Sequence, residues 1–294
     1  MDVRPSHRDA SEGDDMDVRR IVVGVDGSAS ADAAVSWAAA EADRRGLGIE
    51  LLHARTKPGH EQDDEILDAA RRRVNDVAPS VPVLLRDDAG DAASSLLVAS
   101  ATAEFVVVGT HGKNVLARML VGSVSHRLVA RSACPVVVVH GGDVDPALPV
   151  AVGVDGSPGS DAAVTLAAEE AVLRGVPLVV VHGWLLPAVG GFEAMPVTQD
   201  VVDAEREAGE EILAAAVHAA RALAPALEVR TLLVTGTPVV ALSTAAEDAQ
   251  LVVVGAHGRQ GLAEAPFGSV TSAAIDAVSI PVLVSRVTFA EPAG

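Results

Sequence analysis

Tyrosine is absent from this chain of 294 residues, aromatics make up only 2% of it, and a single cysteine, Cys134, stands without a partner. One cysteine forms no internal disulfide, so the fold rests on its core; placed before Pro135 at a strand start, Cys134 reads as a small buried hydrophobe. Long apolar runs are missing too. The chain is 49% hydrophobic, yet runs such as Phe105 to Val108, Val136 to Val139 and Leu251 to Val254 fall far short of the roughly 20 residues that span a bilayer. They read as strands of a parallel sheet, buried on both faces. The first fifteen residues are polar and acidic, without the apolar centre of a secretory signal, which predicts a cytoplasmic protein. Positive charge is scarce: 22 Lys and Arg against 40 Asp and Glu give a net charge of -18. The longest basic run, Arg71 to Arg73, lies in an amphipathic stretch and reads as a solvated helix face. Such a surface repels the phosphates of nucleic acid and anionic lipid, so neither nucleic acid nor membrane is an expected partner. Enzyme machinery is equally sparse. There is no G-x-x-x-x-G-K-[ST], no H-E-x-x-H, no G-x-S-x-G and no clustered Cys/His set, so no catalytic residue and no metal ligand is assigned.

What the chain does contain, it contains twice. V-V-G-V-D-G-S at residues 22 to 28 returns as V-G-V-D-G-S at 152 to 157. Gly109-Thr110-His111-Gly112, nine residues, then Gly122-Ser123-Val124 is answered by Gly255-Ala256-His257-Gly258, nine residues, then Gly268-Ser269-Val270. A unit of half the chain exceeds the roughly 20 to 50 residues of a solenoid repeat, so each copy is a domain with its own core. The expected division is a disordered tail at 1–17, a first domain at 18–141, a linker at 142–148, a second domain at 149–288 and a tail at 289–294. Met16 offers an alternative start.

Within each copy, short apolar runs alternate with helical patterns. The spacing predicts strands at 21–25, 49–53, 81–86, 105–109 and 135–139, with helices at 29–45, 61–78, 91–103 and 123–131. The second copy repeats them as strands at 150–154, 178–182, 228–234, 251–255 and 281–285, with helices at 159–173, 201–223, 239–246 and 270–277. Strands joined by helices mean right-handed crossovers and a parallel sheet. Asp26 and Asp155 lie 129 positions apart, Gly109 and Gly255 146 apart. The 17 extra residues of the second copy fall in Gly183 to Asp200, beside the carboxyl ends of the strands: a lid, or a passive surface excursion.

The glycine pattern suits an anion. After the strand at 105–108, Gly109 and Gly112 let the backbone turn and approach a ligand with no Cβ in the way. Gly122-Ser123 then opens a helix whose free N–H groups and positive dipole end favour a polyphosphate, with Ser123 capping the helix or donating to a phosphate oxygen. Lys113 and Arg259 either offset phosphate charge or are ordinary surface cations. His111 and His257 either stabilise their loops or touch ribose or phosphate. Asp26 and Asp155 suit the turn before Gly-Ser, and Ser28 and Ser157 suit helix caps.

The spaced motif, V-G-V-D-G-S at the first strand with G-x-x-G, nine residues, G-S after the fourth, resembles the universal stress protein family. The likeness is to its tandem-domain, nucleotide-binding, actinobacterial type, and covers residues 19 to 287. It implies an α/β fold of two tandem open-sheet, Rossmann-like domains, each with five parallel strands ordered 3-2-1-4-5, and ATP, with Mg²⁺ as a possible companion, between strands 1 and 4. It gives Asp26 and Asp155 contacts to adenosine and sets Val108 and Val254 beside the nucleotide. Ribose and phosphates fall to Gly109, Gly112, Gly122, Ser123 and Val124, and to Gly255, Gly258, Gly268, Ser269 and Val270. Family members often pair their last strands across a dimer, so 135–139 and 281–285 are expected to pair within one chain as a pseudo-dimer, with a further homodimer an open alternative. The implied role is a nucleotide-dependent stress regulator acting on a protein partner; a slow ATPase or self-phosphorylating protein, and an interaction module with empty sites, are the alternatives.

Overall fold

Helical crossovers between short apolar strands force the strands to run parallel and to be covered on both faces. The computed structural model describes residues 19–55, 61–110, 122–142, 144–185, 198–258 and 268–286. The first half runs β1 (Arg20–Gly24), α1 (Ala29–Arg45), β2 (Gly48–Arg55), α2 (Glu61–Val77), β3 (Val83–Ala89), α3 (Ala92–Ala99), β4 (Phe105–Gly109), α4 (Ser123–Arg131) and β5 (Val136–Val139). The second half follows as β6 (Val150–Gly153), α5 (Pro158–Arg174), β7 (Leu178–Trp184), α6 (Gln199–Leu223), β8 (Val229–Thr235), α7 (Pro238–Ala246), β9 (Leu251–Gly255), α8 (Ser269–Ala277) and β10 (Val282–Ser285).

The strands form one sheet in the order β3-β2-β1-β4-β5-β10-β9-β6-β7-β8. Each half is parallel and ordered 3-2-1-4-5, as expected. The two halves join through their last strands, as the resemblance implied. β5 and β10 pair antiparallel, with Val138 opposite Val282, Val137 opposite Leu283 and Val136 opposite Val284. All four residues of each strand are buried. A strand this apolar cannot remain an open edge in water, and the matching strand of the other repeat closes it.

Helices α1, α2, α5 and α6 pack on one face of the sheet, and α3, α4, α7 and α8 on the other. This double cover explains why β4 and β9 each carry four consecutive buried apolar residues rather than an alternating pattern. α1 and α5 meet the sheet through alanines four residues apart, Ala34, Ala38 and Ala42 in one and Ala163, Ala167 and Ala171 in the other, all fully buried. Each of these helices ends on a glycine in the left-handed region, Gly46 at φ 64° and Gly175 at φ 68°, a conformation that penalises any Cβ.

Several boundaries differ from the expected ones. β3 runs on to Ala89 through Arg86-Asp87-Asp88, because these charges satisfy one another at the sheet edge: Arg86 donates to Asp88 at 2.8 Å and to Glu50 at 3.2 Å, and Arg55 pairs with Asp87. α3 stops at Ala99, four residues early; Asp91 caps its start by accepting from the Ser94 N–H at 3.0 Å. β7 continues through Trp184, whose carbonyl accepts from the Gly236 N–H at 2.9 Å, so the extra segment of the second half starts later than Gly183. Residues 186–197 of that segment, with the expected lid, lie outside the described residues, as do the tails. Arg71, Arg72 and Arg73 are exposed. Cys134 is buried, and burial pushes its thiol up. In the expected linker, Gln250 donates to the carbonyls of Pro146 at 2.7 Å and Leu148 at 2.5 Å.

Where α1 meets α5, two fully buried carboxylates, Glu41 and Glu170, are shared by two arginines. Arg45 donates to Glu41 and Glu170, each at 2.5 Å; Arg174 donates to Glu41 at 2.7 Å and also pairs with Glu170. The arginines lie over aromatic rings, Arg45 at 4.7 Å from the Phe105 centroid and Arg174 at 5.9 Å from that of Trp37. Burial, and then repulsion from Glu41, hold the Glu170 carboxyl above the usual carboxylate range.

Candidate functional site

In an open parallel sheet a crevice opens at the carboxyl ends of two neighbouring strands whose following helices go to opposite faces. β1 leads into α1 on one face and β4 into α4 on the other; β6 and β9 do the same with α5 and α8. Two equivalent crevices result, one in each half.

One wall is the Asp-Gly-Ser turn. Asp26 Oδ1 accepts from the Ser28 N–H at 2.9 Å, and Asp155 Oδ1 from the Ser157 N–H at 3.0 Å. The glycine between them is left-handed in both copies, Gly27 at φ 73° and Gly156 at φ 74°. The serines are the caps the sequence predicted: Ser28 Oγ accepts from the Ala31 N–H and Ser157 Oγ from the Ser160 N–H, both at 3.2 Å. Two histidines, not singled out from the sequence as functional, hold the turn from behind. His53 Nδ1 lies 2.7 Å from the Val25 carbonyl oxygen, and His182 Nδ1 lies 2.7 Å from that of Val154. A carbonyl only accepts, so both rings carry their proton on Nδ1. The repeat offered the signal, a histidine 129 positions apart near the end of each second strand.

The opposite wall is the start of α4 or α8. The capping residue is Gly122 or Gly268, one position earlier than expected for the serine, and neither makes a side-chain cap bond. Ser123 and Ser269 occupy the first helical position and are exposed; Val124 packs partly against the core and Val270 is exposed. By contrast α1, α3, α5 and α7 all have a side chain accepting from their first turn, while α6, which follows Thr198, also lacks one. First-turn N–H groups without such a cap take water or a ligand. Both helix starts are fastened to the strand before them. Gly122 N–H donates to the Thr110 carbonyl at 2.6 Å and Gly268 N–H to that of Ala256 at 2.9 Å. Ser125 Oγ donates to the Gly109 carbonyl at 3.0 Å and Thr271 Oγ1 to that of Gly255 at 2.7 Å.

The glycines divide by role. A Cβ on Gly109 would lie 2.6 Å from the Ser30 carbonyl carbon, and one on Gly255 would lie 2.6 Å from the Gly159 carbonyl oxygen. Their need for glycine therefore comes from close packing of the strand end on the first turn of α1 or α5. This packing is a separate reason for glycine at Gly109, beside the expected approach of an anion. Gly258 behaves differently: a Cβ there would lie 2.5 Å from Asp155 Oδ2. The structure thus brings Asp155, Gly258 and the start of α8 to one place, with the Gly258 nitrogen 3.7 Å from where a Gly268 Cβ would stand. Val108 and Val254 are 4% exposed, within the core on the α3, α4, α7 and α8 side. His111, Gly112, Lys113 and Arg259 lie outside the described residues. Among the described residues no helix is long and apolar enough to cross a membrane.

Comparison with known proteins agrees with this fold. The model of the universal stress protein family matches twice, over residues 17–140 and 148–286. A universal stress protein of Mycobacterium tuberculosis is 35% identical over 295 residues, covering 90% of this chain and 96% of the relative. One from Mycolicibacterium smegmatis is 34% identical over 292 residues with the same coverage. Among solved structures, a universal stress protein from Archaeoglobus fulgidus superposes with a TM-score of 0.61 at 19% identity, over 91% of this chain and 98% of that one. A duplicated unit, the 3-2-1-4-5 strand order in each half and relatives matched over nearly their whole length lead to one conclusion: the chain belongs to the universal stress protein family, with two tandem copies of its domain.

Proposed function

We propose that this chain binds ATP at both crevices and that occupancy alters the surface it offers a protein partner, as a regulator in a stress response. The observation that carries the reading is the pair of uncapped helix starts, α4 and α8, at the strand switch points, with Asp155 beside Gly258 in the second. The N-terminal dipole of each helix and its free N–H groups suit the phosphates, each exposed dipole contribution being about 0.3 to 1 kcal/mol and therefore useful only in concert. Asp26 and Asp155 are set to accept from adenosine. A Mg²⁺ ion, if it accompanies ATP, supplies charge neutralisation to the phosphates.

Native mass spectrometry of the purified chain with added ATP tests this. Two ATP masses are expected on the parent, and one on Gly122→Ala or Gly268→Ala. A Cβ on Gly268 meets nothing closer than 3.5 Å, so that variant keeps its fold and loses only ligand contacts. A hydrogen bond to a charged group contributes about 1.5 to 3 kcal/mol, so the altered site should weaken roughly ten- to hundredfold. Absence of retained nucleotide on the parent at millimolar ATP would sink the proposal.

A further inference from the structure

The residue just after the last strand of each half reaches across the seam to the carboxyl end of the other half's last helix. Arg286, after β10, donates to the carbonyls of Leu128 at 3.0 Å and Val129 at 2.6 Å in the last turn of α4. His140, after β5, holds the corresponding place 146 positions earlier. Its Nε2 lies 2.7 Å from the Ile275 carbonyl oxygen in α8, and its Nδ1 lies 3.1 Å from that of Ile280, before β10. A guanidinium is cationic at any working pH and an imidazole is not. Yet a carbonyl oxygen only accepts, so both His140 contacts form together only when both ring nitrogens carry a proton. A neutral ring turns one lone pair against a carbonyl.

We infer that His140 is a protonation-controlled latch between the two halves: as imidazolium it ties α8 and the approach to β10 to the end of β5, and on losing a proton it releases one of the two ties. The carboxyl end of α8 favours the cation through its exposed carbonyls and dipole. The charged groups on the surrounding elements leave that preference intact. Asp276, next to Ile275 on α8, is exposed. On α1, Asp32 is paired with Arg73 at 3.1 Å; in the connection after β5, Asp145 accepts from the Ala147 N–H at 2.9 Å, and Asp143 lies outside the described residues. Arg286 is committed to α4. Across the sheet seam, His126 of α4 meets the Ser272 hydroxyl of α8 at 3.3 Å, a contact that either ring form can make.

The sign follows from linkage. A histidine whose cation gains partners on folding adds stability that is complete below its unfolded value, about 6.5, and disappears as pH rises through the folded value. The latch is therefore closed in mild acid and loosened in mild alkali, and it operates without nucleotide. The test is nitrogen NMR of the full chain labelled at histidine, with His140→Gln identifying the His140 signals among the nine histidines. Doubly protonated His140 at pH 6.5 is expected; a single-proton tautomer at that pH overturns the inference. Melting between pH 6 and 8.5 gives a second readout. The parent should lose at least about 2 °C relative to His140→Arg, which keeps a permanent cation in the manner of Arg286. His140→Gln should lack that pH-dependent component, and a Gln variant with the parent's full pH dependence would refute the latch.

Discussion

Arg174→Met is expected to destabilise the chain by about 3 to 5 kcal/mol at pH 7, the range seen when one partner of a buried ion pair is removed. Arg174 is 3% exposed and serves two carboxylates with no exposed surface. Without it, Glu170 keeps only Arg45, and Glu41 keeps Arg45 and Arg44, the latter at 3.0 Å. The methionine fills much of the same volume, so the loss reports uncompensated charge more than a cavity. Its pH dependence has a definite sign. The Glu170 carboxyl already lies above the usual range through burial and the nearness of Glu41, while Arg174 opposes that rise. An acid with a raised folded value holds its proton more tightly folded than unfolded, so stability falls as pH rises upward from the unfolded value of about 4.3. Removing Arg174 raises the folded value further and widens that window. Denaturation of parent and variant at pH 7 and pH 5 should show the deficit shrinking on acidification; equal deficits at both pH values would mean that neither carboxylate takes up a proton.

Gly255→Ala should cost about 3 kcal/mol, lowering the melting temperature by roughly 6 to 12 °C. The added methyl would meet the carbonyl oxygen of Gly159 at 2.6 Å and its carbonyl carbon at 2.7 Å. Backbone atoms cannot swing aside as a side chain does, so β9 and α5 must separate. Gly268→Ala, in the same spaced motif, should leave melting nearly unchanged and act on nucleotide alone. Differential scanning calorimetry without ligand compares the two directly. If Gly255→Ala melts with the parent, the close approach of β9 to α5 is softer than the geometry indicates, and the glycine's role returns to the ligand side.

That contrast separates what spacing in the sequence records from what packing requires. The motif marks Gly255 and Gly268 alike, because spacing records that a glycine is required without saying what would collide with its Cβ. The obstacle for Gly255 is Gly159, 96 positions away, and only folding places it there. Similarly, strand periodicity gives no reason for His53 and His182, whose rings sit on the carbonyls of Val25 and Val154. Their partners are 28 positions distant, beyond any helical or strand period.

Local pattern sufficed where the cause was local. The duplication, the run of strands and helices, the caps at Ser28 and Ser157, and the Asp-Gly-Ser turns follow from side-chain periodicity and backbone chemistry within a few residues, and they were legible in the sequence alone. The extent of β3 and β7 was not, since a strand continues for as long as a neighbour supplies hydrogen bonds. Tertiary structure decided the antiparallel register of β5 on β10, that Glu41 and Glu170 share Arg45 and Arg174, and that His140 and Arg286 each reach the other half's last helix across the seam. Each depends on residues more than 100 positions apart meeting in space. Such meetings are selected by the burial of apolar strands and the pairing of buried charge, which a linear pattern does not encode.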